Sequence, residues 1–470
     1  MNDNFDIKKY LDRYKYFKRA SETADELGYD VYIVGGYVRD LFLQRRRVEI
    51  DFLVVGNGLI FAQEFAKKLK VKNVTFFKNF GTAHFKYRKI DFEFVGARKE
   101  SYSRESRKPE VESGTFKEDI ERRDFTINTL AVSLNKNNFG ELIDSFSGLE
   151  DLKNKIIKTP LDPLITFNDD PLRIMRAFRF AAQLNFNVDE KILTAAEKMA
   201  SRLKIVSQER ITDEFLKILA SHKPSIGLKL LQNSGVMREI FSEISELAGV
   251  DQRKDYHHKD VFLHTCIVVD NVSKVSNDVW LRFASLVHDI AKPATKKFIE
   301  GTGWTFHGHE EIGARMMKRI FRQMKLPFTK LDYVRRLIRL HLRPSALADS
   351  EVTDSAIRRL VVEAGEDLDD LITLCRADIT SKNPSKVTKY LANYDKVMLR
   401  IKEVREKDKL REFQSPVRGE EIMRICNITP SKRVGEIKSA IEEAILEGEI
   451  RNDYDEALAY LMRIKDRYLD

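Results

Sequence analysis

Residues 32–55 read YIVGGYVRDLFLQRRRVEIDFLVV. The pattern predicts a strand, a Gly35-Gly36 turn, a short helix, a basic loop, and a second strand that carries Glu49 and Asp51. Strand side chains alternate between faces, so Glu49 and Asp51 project together while Ile50 and Phe52 point the other way. Two adjacent carboxylates repel and resist joint ionisation unless a cation lies between them. Beside a turn with free backbone N–H groups, such a pair suits a metal-bound triphosphate. The pair alone reads more simply as a solvated acidic face on an edge strand. The Gly-Gly turn just upstream shifts the balance towards chemistry.

A chain of 470 residues fits about three domains. With 43% hydrophobic residues it can bury several cores, and its composition is neither disordered nor collagenous. Lys and Arg number 82 against 73 Asp and Glu, a net charge of +9. That excess is compatible with a polyanionic partner without demanding one. The three cysteines, Cys266, Cys375 and Cys426, match no zinc or disulfide spacing, which points to a reducing cytosol. The polar N-terminus and the lack of a long apolar run predict a soluble, cytoplasmic protein.

Along the chain, Tyr16 to Leu27 has helical spacing and stops at Gly28, and Leu59 to Leu69 reads as an amphipathic helix. Val74 to Phe77, Thr82 to Tyr87 and Ile90 to Val95 read as strands, so a mixed sheet with helices on one face is expected. Asp91 and Glu93 share a strand face; a third carboxylate beside the first pair is one reading, and an ordinary solvated face is the preferred one. Ala97 to Phe116 is polar and without periodicity, which predicts a long flexible loop of the kind that often carries function. In EDIERRDFTINTLAVSL, Arg123 suits phosphate and Asp124 suits ribose hydroxyls, with Asn128 adding hydrogen-bonding groups. From spacing alone, a capping Asp124 with surface arginines reads better.

From Asp151 the pattern is almost wholly helical. In DDPLRIMRAFRFAAQL, Asp170 starts a helix, Pro171 fits its first turn, and Arg173, Arg176 and Arg179 follow at i+3 spacing. A neighbouring Asp and Arg suffice to read a nucleobase edge, although a plain capped helix with a basic surface fits too. Further on, His264 lies in an apolar helix, His288-Asp289 and His341 end two others, and His309 and Asp378 complete a set that can hold one or two divalent cations within a helical bundle. His257, His258 and His307 read as ordinary histidines. The charged helical stretch from about Lys389 contains ITPSKRVGEIK, a loop feeding a helix start that suits either a phosphate or solvent.

Gly35-Gly36-x-Val38-Arg39-Asp40, the acidic pair, Arg122 to Asn128, Asp170-x-x-Arg173-x-x-Arg176 and ERITDEFLKIL from Glu209 stand in the order of class II tRNA nucleotidyltransferases. The chain resembles that family of CCA-adding enzymes and bacterial poly(A) polymerases over roughly its first half. The stretch with YHHKDVFLHT, VHDIAKP and HGHEEIGA resembles an HD phosphohydrolase domain.

The resemblance implies an α+β protein. A polymerase-β-like nucleotidyltransferase head (1–155) would be followed by a helical neck (156–250), an HD domain (251–388) and a helical tail contacting tRNA (389–470). It implies CCA addition to tRNA from CTP and ATP with auxiliary HD hydrolysis; the alternatives are a poly(A) polymerase, or an HD phosphohydrolase whose head only binds RNA. Gly35, Gly36, Arg39 and Asp40 would hold the triphosphate, and Glu49 and Asp51 would bind catalytic Mg²⁺. Arg123, Asp124 and Asn128 would recognise ribose and phosphate, while Asp170 and Arg173, with Arg176 and Arg179 beyond them, would serve the nucleotide. His264, His288, Asp289, His309, His341 and Asp378 would hold a transition metal such as Mn²⁺ or Ni²⁺. Two departures stand out: Glu49 replaces the first Asp of the usual Asp-x-Asp, and Asp169 replaces the Glu of the usual Glu-Asp.

Overall fold

The computed structural model describes residues 5–77, 81–103, 106–250, 260–300, 303–348, 353–381, 383–408 and 415–469. His257 and His258 lie outside them. The chain forms two compact units, Met1–Ser245 and Glu246–Asp470.

The first unit opens with α1 (Ile7–Asp12), α2 (Lys15–Leu27), β1 (Asp30–Val34), α3 (Gly36–Phe42), β2 (Glu49–Val55) and α4 (Gly58–Lys68). Then come β3 (Thr75–Phe77), β4 (Thr82–Tyr87), β5 (Ile90–Gly96), β6 (Arg98–Ser103), β7 (Ser106–Ser113) and α5 (Phe116–Glu121), followed by β8 (Ala131–Ser133) and β9 (Leu142–Ile143). A seven-stranded mixed sheet has the order β3-β4-β5-β2-β1-β8-β9, with β2 and β5 parallel and β1 antiparallel to both β2 and β8. Alternation sorts its residues. Ile50, Phe52, Phe85, Phe92 and Phe94 are buried with Phe61 and Phe65 of α4, and Phe52 stacks on Phe94 at 4.9 Å. On the other face Tyr32, Val34, Leu53, Ile120 and Ala131 form a smaller core. As the spacing predicts, α2 stops at Gly28, whose φ of 65° closes the helix in the left-handed region. Asn57 caps α4 by accepting hydrogen bonds from the Leu59 and Ile60 amides.

The stretch from Ala97 to Phe116 departs from the expected loop. There β6 and β7 pair antiparallel, Arg98 opposite Ser113 and Glu100 opposite Val111, with an irregularity between Ser101 and Ser103. Backbone hydrogen bonds can pair such a ribbon without apolar alternation in its sequence.

Helices complete the unit: α6 (Gly148–Asn154), α7 (Pro163–Asp169), α8 (Leu172–Leu184), α9 (Glu190–Met199), α10 (Gln208–Leu219), α11 (Pro224–Asn233), α12 (Val236–Ile240) and α13 (Ser242–Ser245). Two short strands, β10 (Ile156–Ile157) and β11 (Asn187–Val188), pair in parallel among them. α8 packs on α10 and α11.

The second unit runs α14 (Val261–Val275), α15 (Val279–Val287), α16 (Lys292–Thr295), α17 (His309–Gln323), α18 (Leu331–Leu340), α19 (Arg343–Ala348), α20 (Asp354–Ala364) and α21 (Leu368–Asp378). It ends with α22 (Pro384–Asp408), α23 (Gly419–Cys426), α24 (Lys432–Glu447), α25 (Tyr454–Ile464) and α26 (Asp466–Leu469). The helical expectation misses one hairpin, β12 (Lys297–Ile299) against β13 (Gly303–Thr305). Strands of three residues are too short to show a period. The sequence boundary at 388/389 falls inside α22. Val417, Ile422, Ile437, Ile441 and Leu461 make a separate core for α23 to α25. Cys266, Cys375 and Cys426 are buried and outside any disulfide. Among the described residues no helix is long and apolar enough to cross a membrane.

Candidate functional site

The register of the central strands builds the first site. Parallel pairing sets Asp51 beside Glu93 and Glu49 beside Asp91, and antiparallel pairing sets Val34, the residue before the Gly-Gly turn, opposite Asp51. Carboxylate oxygens of Glu49, Asp51 and Glu93 all come within 4.8 Å of one another. Asp91 turns instead to His84 at 3.3 Å and Lys86 at 3.5 Å. Glu93 thus lies beside the first pair, the reading that the sequence ranked below a solvated face, because the parallel register with β2, a long-range choice, sets it beside Asp51. Burial, then Glu93, then Glu49 push the Asp51 carboxyl up to about 6, against the pull of Arg123 and Arg47. Three hard oxygen donors gathered this closely, with the ionisation of Asp51 opposed by its neighbours, fit a divalent cation such as Mg²⁺.

The turn lies against this trio. Gly35 has φ 72° and ψ −138°, a conformation essentially restricted to glycine. A Cβ built there would stand 3.3 Å from Arg123 Nη1 and 3.5 Å from Asp51 Oδ2. At Gly36 a Cβ would meet Arg47 Nη1 at 2.6 Å. Arg47 Nε also donates to Asp40 Oδ2 at 2.6 Å, and its Nη1 lies 4.0 Å from Glu49 Oε2.

Behind the turn the predicted residues form one hydrogen-bonded chain. Arg39 donates to both Asp40 oxygens at 2.9 and 3.0 Å and to Asn128 Oδ1 at 2.8 Å. Asn128 Nδ2 donates to Asp124 Oδ1 at 3.0 Å, and Arg176 clasps Asp124 Oδ2 through Nε at 2.8 Å and through Nη2. Burial alone would raise the Asp124 carboxyl; Arg176 and Asn128 outweigh it and hold it at about 2. Arg39, 3% exposed, is thus a buried strut, while Arg123, beside Gly35 and Asp51, faces the trio. Asp119, fully buried, holds Arg122 at 2.6 Å and Arg123 at 3.1 Å, a role missed in the sequence.

Asp170 caps α8 by accepting the Leu172 amide at 3.1 Å and pairs with Arg210 Nη2 of α10 at 3.0 Å. Arg173 donates to the carbonyls of Arg122 at 2.7 Å and Thr166 at 3.3 Å, so Asp170 and Arg173 are each held by other partners. Arg179 Nε meets Glu214 Oε2 at 2.6 Å. Arg210 and Glu214 stand four residues apart in ERITDEF, on one helix face. That spacing was the available signal for their clamp on α8.

In the second unit, helix ends deliver all six predicted ligands to one place. Two groups, His264 with His288 and Asp378, and Asp289 with His309 and His341, each gather within 4.8 Å. His264 Nε2 lies 3.7 Å from Asp289 Oδ2, and His288 Nε2 lies 3.2 Å from Asp289 Oδ2, joining the two groups. Each imidazole is oriented from behind. Nδ1 of His264 meets Thr380 Oγ1 at 2.9 Å. Nδ1 of His288, His309 and His341 meets the carbonyls of Ser285, Phe306 and Ile338 at 2.8, 2.7 and 2.6 Å. Nδ1 protonation leaves the Nε2 lone pairs aimed inward, the arrangement metal ligation needs. Nε2 of His309 and His341 face each other at 3.3 Å, and Asp378 Oδ1 lies 2.8 Å from His264 Nε2 and 3.5 Å from His288 Nε2. Burial would lower the His288 pKa; Asp289 and Asp378 raise it to about 10. Burial, then His288, lower that of His341 to about 4. A cluster that calls this strongly for positive charge fits one or two divalent ions, and its mixed N/O donors suit a transition metal. His307 is exposed and outside the cluster.

Comparisons with known proteins follow the same division. Residues 31–158 match the poly A polymerase head domain, 185–247 a probable RNA- and SrmB-binding site of polymerase A, and 261–383 the HD domain. An A-adding tRNA nucleotidyltransferase of Aquifex aeolicus is 44% identical over 203 residues, which are 41% of this chain and 24% of that longer protein. One from Deinococcus radiodurans is 30% identical across 74% of this chain and 79% of its own length. A multifunctional CCA protein of Psychromonas ingrahamii is 32% identical across 63% and 71%. A tRNA nucleotidyltransferase solved with a primer tRNA and an incoming ATP analog superposes with TM-score 0.58 at 26% identity, covering 81% of this chain and 99% of that one.

Proposed function

Because this chain belongs to the tRNA nucleotidyltransferase family, we propose that it adds C, C and A to the 3′ end of tRNA from CTP and ATP without a nucleic-acid template. The observation that carries the reading is the convergence of Glu49, Asp51 and Glu93 on the Gly35 turn and Arg123. Gly35 and Gly36 let the Arg123 and Arg47 guanidinium groups come close to the turn, and Arg123, oriented by Asp119, would meet the charge of a triphosphate. Glu49, Asp51 and Glu93 would hold Mg²⁺, which when bound supplies charge neutralisation at the α-phosphate and at the attacking 3′-hydroxyl. The Arg39–Asn128–Asp124–Arg176 chain braces the floor of the site, and Asp170, which Arg210 and the Leu172 amide hold here, would turn its carboxylate to the base. On the same basis we assign a cytoplasmic location and a division into head, neck, HD domain and tail, with the tail beginning beyond α22.

The HD cluster would hold Mn²⁺ or Ni²⁺ on His264, His288, Asp289, His309, His341 and Asp378, and when bound such an ion supplies an activated water. The function proposed there is hydrolysis of phosphomonoesters or 2′,3′-cyclic phosphates. His288→Ala should abolish metal-dependent phosphate release, and unchanged release would refute the assignment.

A second reading, addition of the terminal A alone, is favoured by the names of the Aquifex and Deinococcus relatives. Extension of tRNA lacking its CCA end, with each nucleotide alone and with both, separates the readings. CTP alone should add two residues and ATP should complete the end. Extension only of tRNA already ending in CC would establish A-addition. Indefinite growth with ATP would establish a poly(A) polymerase.

A further inference from the structure

The net charge of the chain is concentrated in one stretch. Residues 312–343 contain ten Lys and Arg against a single acid, Asp332, a balance of +9, which equals the net charge of the whole chain. The rest of the chain is therefore neutral. From α18 onward the arginines meet carboxylates: Arg335 lies 3.5 Å from Asp332, Arg339 2.9 Å from Glu311 and Arg343 2.7 Å from Glu363, and Arg336 bonds Asp367. On α17 the arrangement differs. Its buried side carries His309, Gly313, Ala314, Met317, Ile320 and Phe321. Arg315, Lys318, Arg319 and Arg322, at i, i+3, i+4 and i+7, share one face and are all exposed, a row about 10 Å long. Lys325 continues the row just past the helix end, and the sequence has no acid between Glu311 and Asp332. The helix dipole favours a cation in the last turn, which accounts for Arg322 alone. An aromatic ring stands at the end of the row. Phe328 opens a single 3₁₀ turn, Phe328–Lys330, and is 50% exposed, set edge-on at 6.4 Å against the buried Phe321.

We propose that the exposed face of α17 and Phe328 bind a single RNA strand, its phosphates along the row of cations and an unstacked base on the Phe328 ring. A row of cations without intervening acids is complementary to a polyphosphate backbone and binds it without regard to sequence. A duplex keeps its base faces stacked, so an exposed ring beside the row selects a strand over a duplex. Membership of a tRNA nucleotidyltransferase family favours RNA as the polyanion. The surface lies outside both candidate catalytic sites, on the exposed side of α17 and not on the buried side that carries His309. The inference stands whether or not the head adds CCA and the cluster hydrolyses phosphate.

The test uses the full chain in chelator, which stops turnover at both sites, and a fluorescent twelve-nucleotide oligouridine followed by anisotropy over a range of KCl. Replacing Arg315, Lys318, Arg319 and Arg322 together by Gln should flatten the slope of log K against log salt by about 2–3, since each strand phosphate contributes about 0.7. Arg315→Lys, Arg319→Lys and Arg322→Lys together keep the charge and should keep the slope. Phe328→Ala should weaken binding about tenfold with the slope unchanged. These side chains are exposed, so the thermal melts of all the variants should match wild type. A slope unchanged in the Gln variant would overturn the surface. An RNA duplex of twelve base pairs bound as tightly as the strand, with Phe328→Ala without effect, would overturn the choice of a strand. Binding to phosphatidylserine vesicles that the Gln variant loses, while its affinity for the oligouridine stays at the wild-type value, would overturn RNA in favour of a lipid surface.

Discussion

Glu49 keeps 55% of its side chain exposed, whereas Asp51 and Glu93 are half-buried, so the longer acid occupies the position with room to adjust. Glu49→Asp should change kcat for nucleotide addition by less than about tenfold, while Asp51→Asn and Glu93→Gln should lower it at least about 100-fold, since an ion held by these carboxylates would stabilise several kcal/mol of charge. Single-turnover extension of tRNA ending in CC measures all three. A rate unchanged by Asp51→Asn would mean that the trio is not catalytic. Asp51 also makes stability depend on pH. Without metal its carboxyl holds a proton up to about pH 6, while its ordinary value is 3.8. Between those values the folded state binds more protons than the unfolded one, so the metal-free fold loses stability as pH rises through that window. Metal-free Asp51→Asn should then melt above wild type at pH 7, with the gap closing towards pH 4, and Mg²⁺ should raise only the wild type. Thermal melts in chelator and in Mg²⁺ check both statements.

Two helices decide how the predicted base-reading residues are presented. α10 holds α8 through a buried pair, Arg179–Glu214 with side chains 12% and 5% exposed, and through Asp170–Arg210 with the arginine 41% exposed. Glu214→Ala should therefore cost roughly 3–5 kcal/mol in urea unfolding, because it leaves a buried guanidinium unpaired. Arg210→Ala should cost less than about 1 kcal/mol and act instead on nucleotide choice, raising misincorporation of UTP or GTP about tenfold. A selectivity unchanged by Arg210→Ala would separate Asp170 from base reading. These elements were legible to different degrees. α4, β4 and β5 announced themselves through apolar periods of 3.6 and 2, and α2 through Gly28. The β6–β7 ribbon and the β12–β13 hairpin did not, since the first shows no apolar alternation and the second is too short to show a period.

At the scale of the molecule, two compact units predict separable responses to ligands. Mn²⁺ at 100 times its dissociation constant should stabilise the unit carrying the HD cluster by about 2.7 kcal/mol, shifting one calorimetric transition, and His288→Ala should abolish that shift. A shift that survives His288→Ala would place the metal elsewhere. The sequence alone determined the local elements and the capping and turn glycines, because each depends on side-chain period or backbone conformation within a few residues, and by residue type it put forward six candidate HD ligands. Tertiary structure alone decided that Glu93 and not Asp91 joins Glu49 and Asp51, for that follows from a parallel register between strands distant in the chain. It alone made Arg39 and Arg173 struts while Arg123 faces the carboxylates, and turned every HD imidazole by a bond to its Nδ1. Those outcomes depend on which segments pack together and which polar groups burial forces to find partners, and no short window of sequence contains either.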